Sequence, residues 1–148
     1  MLIHDDLYTW EGFGGVLELA KGECHLRIFD LSKGKSGAVT LLKPILVVVS
    51  DFPERASQLK RVSVRSACSH VASRVVRQFE IDPQRMVFIE YTPASTYGDR
   101  GQHHIPAKFD VMDFVWHEGY AMHPKWRPLD QPLLDLVSDL IAQTESEG

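Results

Sequence analysis

Cysteine is scarce in this chain: Cys24 and Cys68 are its only two. A secreted disulfide scaffold needs a denser set, so that class is excluded. Long apolar runs are missing too. The longest, 45–49 (Ile-Leu-Val-Val-Val), falls far short of the ~20 residues a membrane-spanning helix requires. The opening residues, Met1-Leu2-Ile3-His4-Asp5-Asp6, are acidic and lack the basic and apolar regions of a secretory signal. A cytoplasmic protein with no membrane segment is therefore expected. An excess of cations is also absent. The formal charge is −4, which argues against general nucleic-acid binding. Glycine and proline number 10 and 8, an ordinary share that removes collagen-like and low-complexity readings.

What is present describes one globular domain spanning 1–148. Its length of 148 residues fits a single domain, and a core of that size needs no disulfide or structural metal. The first third reads as strand, over 11–20 and 24–31, with Lys21-Gly22-Glu23 as the turn between them. Gly12, Gly14 and Gly15 crowd the first of these and mark a bulge or a close backbone approach. Residues 32–37 form a polar loop. The 45–49 run is apolar on both faces, as in a central strand covered on both sides or a strand at an oligomer interface. Pro44 limits that strand or bulges it.

The clearest helix follows. Val64, Ala67, Cys68, Val71, Ala72, Val75, Val76 and Phe79 share one half of a helical wheel, and Asp82-Pro83 stops it. A strand covers 85–92, and a parallel crossover joins it to 45–49 if the two share a sheet. Residues 93–108 read as a long polar loop. Another strand covers 109–116, His117-Glu118-Gly119 turns the chain, and 120–123 returns. Residues 124–128 read as irregular, because two prolines bracket Trp126 and Arg127. The last helix runs over 131–143, with Asp130 as N-cap and Pro132 in its first turn. Together these predict an α+β fold: a mainly antiparallel, twisted sheet of about five or six strands, with two helices packed on one face.

Chemical motifs are mostly rejected. Gly34-Lys35-Ser36 lacks the glycine five residues earlier that a phosphate loop requires, since Phe29 stands there. Gly12-Phe13-Gly14-Gly15 does not complete a dinucleotide fingerprint, because position 17 is Leu17. Zinc ligation by Cys24-His25 fails because strand neighbours point to opposite faces. Cys68 and His70 lie about 160° apart on a helix, so they cannot chelate together. Cys68 reads as a small buried hydrophobe and His70 as a surface histidine. No metal site and no cofactor are expected.

Two features carry more information. Residues 60–85 hold six cations against Glu80 and Asp82, a local balance of +4, while 130–148 hold five acids and no cation, a balance of −5. The functional reading of the first is an anion-binding face carried by Arg74 and Arg77 and assisted by Ser66, Ser69 and Ser73. The plainer reading is a solvated face, or attraction between the two helices or between subunits. The second feature is Trp126-Arg127, stiffened by flanking prolines. These residue types anchor interfaces. They also suit a structural clasp, with Trp126 on the sheet and Arg127 paired to a carboxylate such as Glu90.

The residues Ile81-Asp82-Pro83 with Arg85, Phe88-Ile89-Glu90-Tyr91 with Pro93, Phe109-Asp110 with Phe114 and Trp116, and Trp126-Arg127-Pro128 resemble a pattern of small uncharacterised bacterial proteins. The resemblance covers the C-terminal half and implies no activity.

The function expected is a non-catalytic binding or interaction module acting as a homo-oligomer. Its candidate binding residues are Arg74, Arg77, Tyr97, Arg100, Trp126 and Arg127, and its partner is a protein or a small anionic ligand. The alternative is a small hydrolase or nuclease. Its acid and base groups would be Glu90, Asp99, His103, His104 and His117, with Arg100 or Arg127 holding an anion.

Overall fold

The computed structural model describes residues 2–9, 23–31, 45–50, 61–92 and 94–147. In chain order its elements are β1 (Leu2–Thr9), β2 (Glu23–Asp30), β3 (Ile45–Ser50), α1 (Arg61–Phe79), β4 (Met86–Thr92), β5 (Ser95–Tyr97), β6 (His103–Ile105), β7 (Lys108–His117), β8 (Tyr120–Pro128) and α2 (Gln131–Glu147). The expected strand over 11–20, its glycines, the 32–37 loop and the Pro44 bulge lie outside the described residues.

Six strands form one sheet in the order β1-β2-β3-β4-β7-β8, and β5 and β6 form a separate pair. Among the described strands only β3 and β4 run parallel, joined through α1, as a crossover requires. The fold is therefore α+β with a mostly antiparallel sheet. The apolar run of β3 lies third of six. Leu46, Val47, Val48 and Val49 are all fully buried, which contributes about 1.5–3 kcal/mol per side chain relative to leaving it in water.

The expectation that both helices share one face is corrected. Side chains alternate along a strand, and the two parities of β3 belong to different cores. Val47 and Val49 join Phe88, Met112 and the α1 residues Ala67, Cys68, Val71, Ala72 and Val75. Leu46 and Val48 join Ile89, Val111 and the α2 residues Val137, Leu140 and Ile141. The sheet thus stands between the helices. A strand apolar on both faces demands a cover on each, and two helices with one apolar arc each supply them.

Helix ends follow local chemistry. At the end of α1, Glu80 takes φ 52° and the Ile81 N–H reaches the Val76 carbonyl at 3.1 Å, a left-handed cap. Asp82 then accepts from the Gln84 N–H at 3.0 Å and caps a 3-10 turn over Pro83–Arg85. Asp130 is the N-cap of α2 as expected, accepting from the Leu133 N–H at 3.0 Å.

The C-terminal half differs from expectation in two places. The segment 93–108 is not simply a loop: β5 and β6 pair within it, with Thr96 opposite His104 and Tyr97 opposite His103. The segment 124–128 is not irregular: β8 continues through it to Pro128. Prolines fit there because β8 is an edge strand, whose outward N–H groups owe nothing to the ladder. Between Asp113 and Val115 the register shifts. The extra residue falls on β8 at His123-Pro124, where His123 has φ 52°, the conformation of a bulge. The turn expected over 117–119 is present at 118–119, His117 being the last residue of β7, with φ 50° at Glu118 and 84° at Gly119, as two-residue hairpins require.

Candidate ligand cleft

β4 and β7 pair only from Phe88 opposite Met112 to Thr92 opposite Lys108. Before Phe88, β4 still pairs with β3, with Met86 opposite Ile45 and Val87 opposite Leu46. Beyond Met112, β7 follows β8 into the bulge. The two strands therefore part, and a cleft of about 340 Å³ opens between them. That volume falls within the range of small-molecule sites.

Its walls come from both faces of the sheet. On the α1 side, Phe88, Phe114 and Trp116 form a ladder of edge-to-face rings. The centroid spacings are 5.7 Å for Phe88–Phe114 and 5.6 Å for Phe114–Trp116. Such contacts add to the stabilisation given by area alone. Met112 completes this wall, and Val87 and Val111 line the other side. Gln84 and Pro83 stand at one end. Asp113 and Arg127 stand at the other, joined by an ion pair of 2.7 Å between half-exposed side chains. Exposed pairs of this kind contribute only about 0–1 kcal/mol, so a ligand anion can compete for the guanidinium.

Arg127 is thus placed at the cleft, but its carboxylate is Asp113 and not Glu90. The reason is strand parity: Trp126 and Arg127 face opposite ways. Trp126 shares the α1 face with Glu90, to which its indole N–H donates at 2.5 Å. Arg65 of α1 lies 5.1 Å above the same ring, a cation–π contact. The clasp reading of Trp126 therefore describes its surroundings.

The basic face of α1 is more engaged than the sequence indicates. The Ser69 hydroxyl donates to the Ala121 carbonyl. The Ser73 hydroxyl donates to the Ser69 carbonyl at 2.8 Å and accepts from the Ala121 N–H at 2.7 Å. These two serines therefore satisfy the outward backbone of β8 and are not spare donors for an anion. Arg77 donates from Nε to the Ser73 carbonyl at 3.3 Å, and its guanidinium lies 4.6 Å over the Tyr120 ring. Arg74 is exposed. With His70, Arg77 and Gln78 it borders a shallow depression. Partial burial first, then the Arg74 and Arg77 charges, push the His70 imidazole below its ordinary value.

The remaining candidates are spread over the molecule. Asp99 and Arg100 lie in the β5–β6 turn, where the Arg100 N–H meets Gln102 Oε1 at 3.0 Å. His103 and His104 are exposed on β6, across from Tyr97 and Thr96 of β5. His117 is exposed at the β7–β8 turn, 4.0 Å from Glu118. It lies seven residues along β7 from Asp110, the partner of Glu90. At strand rise that is about 23 Å. Among the described residues no group of three or more His, Cys, Asp or Glu is placed to hold a metal. No described helix is long and apolar enough to cross a membrane.

Gln84 and the joint role of Phe88, Phe114 and Trp116 are absent from the sequence-based candidates. The alternation of Phe114 and Trp116 is the visible signal for one wall. Comparison with known protein families, with curated proteins and with solved structures finds no match to this chain.

Proposed function

We propose that this chain is a non-catalytic binding module, working as a homo-oligomer, whose ligand is a small molecule with an apolar body and an anionic group. One observation carries the reading: the cleft between β4 and β7, with aromatic walls and Arg127 at its rim. The apolar body lies against Phe114 and Trp116, which Phe88 backs from the core, and the anion replaces Asp113 on Arg127. Placed polar groups beside apolar walls are a usual build of such sites. The dispersal of Glu90, Asp99, His103, His104 and His117 supports the non-catalytic part. The cytoplasmic assignment rests on the scarcity of cysteine.

Anilinonaphthalene sulfonate, an aromatic anion, is the test probe. One molecule is expected to bind per folded chain and to accept excitation energy from tryptophan. Arg127→Met is expected to weaken binding about tenfold, the loss of one charged hydrogen bond. Gln84→Trp, which narrows the mouth, is expected to weaken it as well. Binding that ignores both substitutions overturns the proposal.

A further inference from the structure

Arg27 of β2 is the one charged side chain among the described residues that the sheet buries, with 5% of its surface exposed. It lies on the α2 face, between Asp5 of β1 and Val48 of β3 in the cross-strand rows. Among the described residues its only hydrogen bond runs from Nε to His25 Nδ1, at 3.3 Å. Its Nη1 is buried and has no partner there.

The neighbours explain why no described carboxylate meets the charge. His25 Nε2 bonds to Asp5 Oδ1. The imidazole bonds to the carboxylate through Nε2 and accepts from the guanidinium at Nδ1. Asp5 is therefore engaged by His25, and the ring stands between it and Arg27. A buried guanidinium with an unsatisfied nitrogen is costly. No other described carboxylate reaches it. The two side chains beside it, His25 and Asp5, are 27% and 38% exposed.

We infer that Arg27 is the floor of an anion site, with Nη1 donating to an oxygen of a carboxylate or phosphate group that enters past His25 and Asp5. The Asp5–His25 bond keeps the guanidinium in place by holding Nδ1 as its acceptor. This site is separate from the β4–β7 cleft and does not depend on it. β2 is two strands away from β4 in the sheet.

The test titrates the whole chain with inorganic phosphate and, separately, with acetate, at constant ionic strength set by chloride. At least one of the two is expected to bind at one per chain and to raise the melting temperature with concentration, as linkage requires. Phosphate alone identifies a phosphoryl group, and acetate a carboxylate. Arg27→Met, which keeps the apolar stem, is expected to reduce that binding at least tenfold. In chloride alone it is expected to match or exceed the parent in melting temperature, because it removes the unpaired charge. A purely structural arginine gives the opposite pair: no anion binding, and a destabilised Arg27→Met. That result overturns the inference. Should Arg27→Met fail to fold, the guanidinium resonances of Arg27 in the unaltered chain decide. Shifts on adding phosphate or acetate uphold the site, and unmoved resonances overturn it.

Discussion

Trp126 shows how one side chain joins three elements. It stands on β8, donates to Glu90 on β4 and lies beneath Arg65 of α1. Trp126→Phe keeps most of the packing but deletes the donor to a half-buried carboxylate. A loss of about 1–3 kcal/mol is expected, read as a shift of the urea midpoint at unchanged slope. His70 supplies a pH signature. Its folded imidazole binds a proton less tightly than the unfolded one, because of burial and the Arg74 and Arg77 charges. The unfolded chain therefore takes up more protons as pH falls, and stability drops below the ordinary histidine value of about 6.5. Urea midpoints compared at about pH 5 and pH 7.5 are expected to differ less in His70→Gln than in the parent. Residue order alone places Cys68 inside and His70 outside, since both follow from the wheel. It does not place Arg127 beside Asp113, because the β7–β8 register pairs residues that no local pattern links.

Among the elements, α1 acts as the cap of a sheet edge. Edge strands expose unpaired backbone groups and need protection, and Ser69 and Ser73 supply it at Ala121. Ser73→Ala leaves the Ala121 N–H without its acceptor. A loss of about 1–3 kcal/mol is expected, together with faster hydrogen exchange at that amide. The N-cap of α2 is a simpler case. Asp130→Ala is expected to lower stability by about 0.5–2 kcal/mol, read by thermal unfolding. The Asp130 cap is legible in the sequence, as are the stop after Glu80 and the turn at 118–119. The β5–β6 pair is not, because its strands of three residues each are too short to show a period. Nor is the extension of β8 through its prolines, since only an edge position makes them tolerable.

For the molecule as a whole, the helices on opposite faces change the meaning of the charge asymmetry. The cation-rich α1 segment and the acidic α2 segment are one sheet apart, on the order of 20 Å if each layer spacing is about 10 Å. The Debye length is about 8 Å at physiological salt. The two segments therefore do not neutralise each other within one chain, and a second copy can bring them together. Under the homo-oligomer reading, sedimentation velocity is expected to show association at low salt that dissolves at about 0.5 M. Arg74→Glu and Asp139→Lys are each expected to weaken it, and an equimolar mixture of the two is expected to restore it. Association that is equal in all three samples and at both salts counts against electrostatic pairing of these faces.

Near neighbours in the chain settle the helical and strand periods, the caps, the hairpin turn and the doubly apolar β3, and these suffice for an α+β domain. Pairings between distant residues settle the rest, and they exist only once the chain has folded. They put one helix on each face, parted β4 from β7 to open the cleft, set Trp126 on Glu90, and buried Arg27 with no described carboxylate in contact. The physical reason is that a period says which residues share a face, whereas register and layer order say what that face meets. A single bulge at His123-Pro124 changes the second and leaves the first intact.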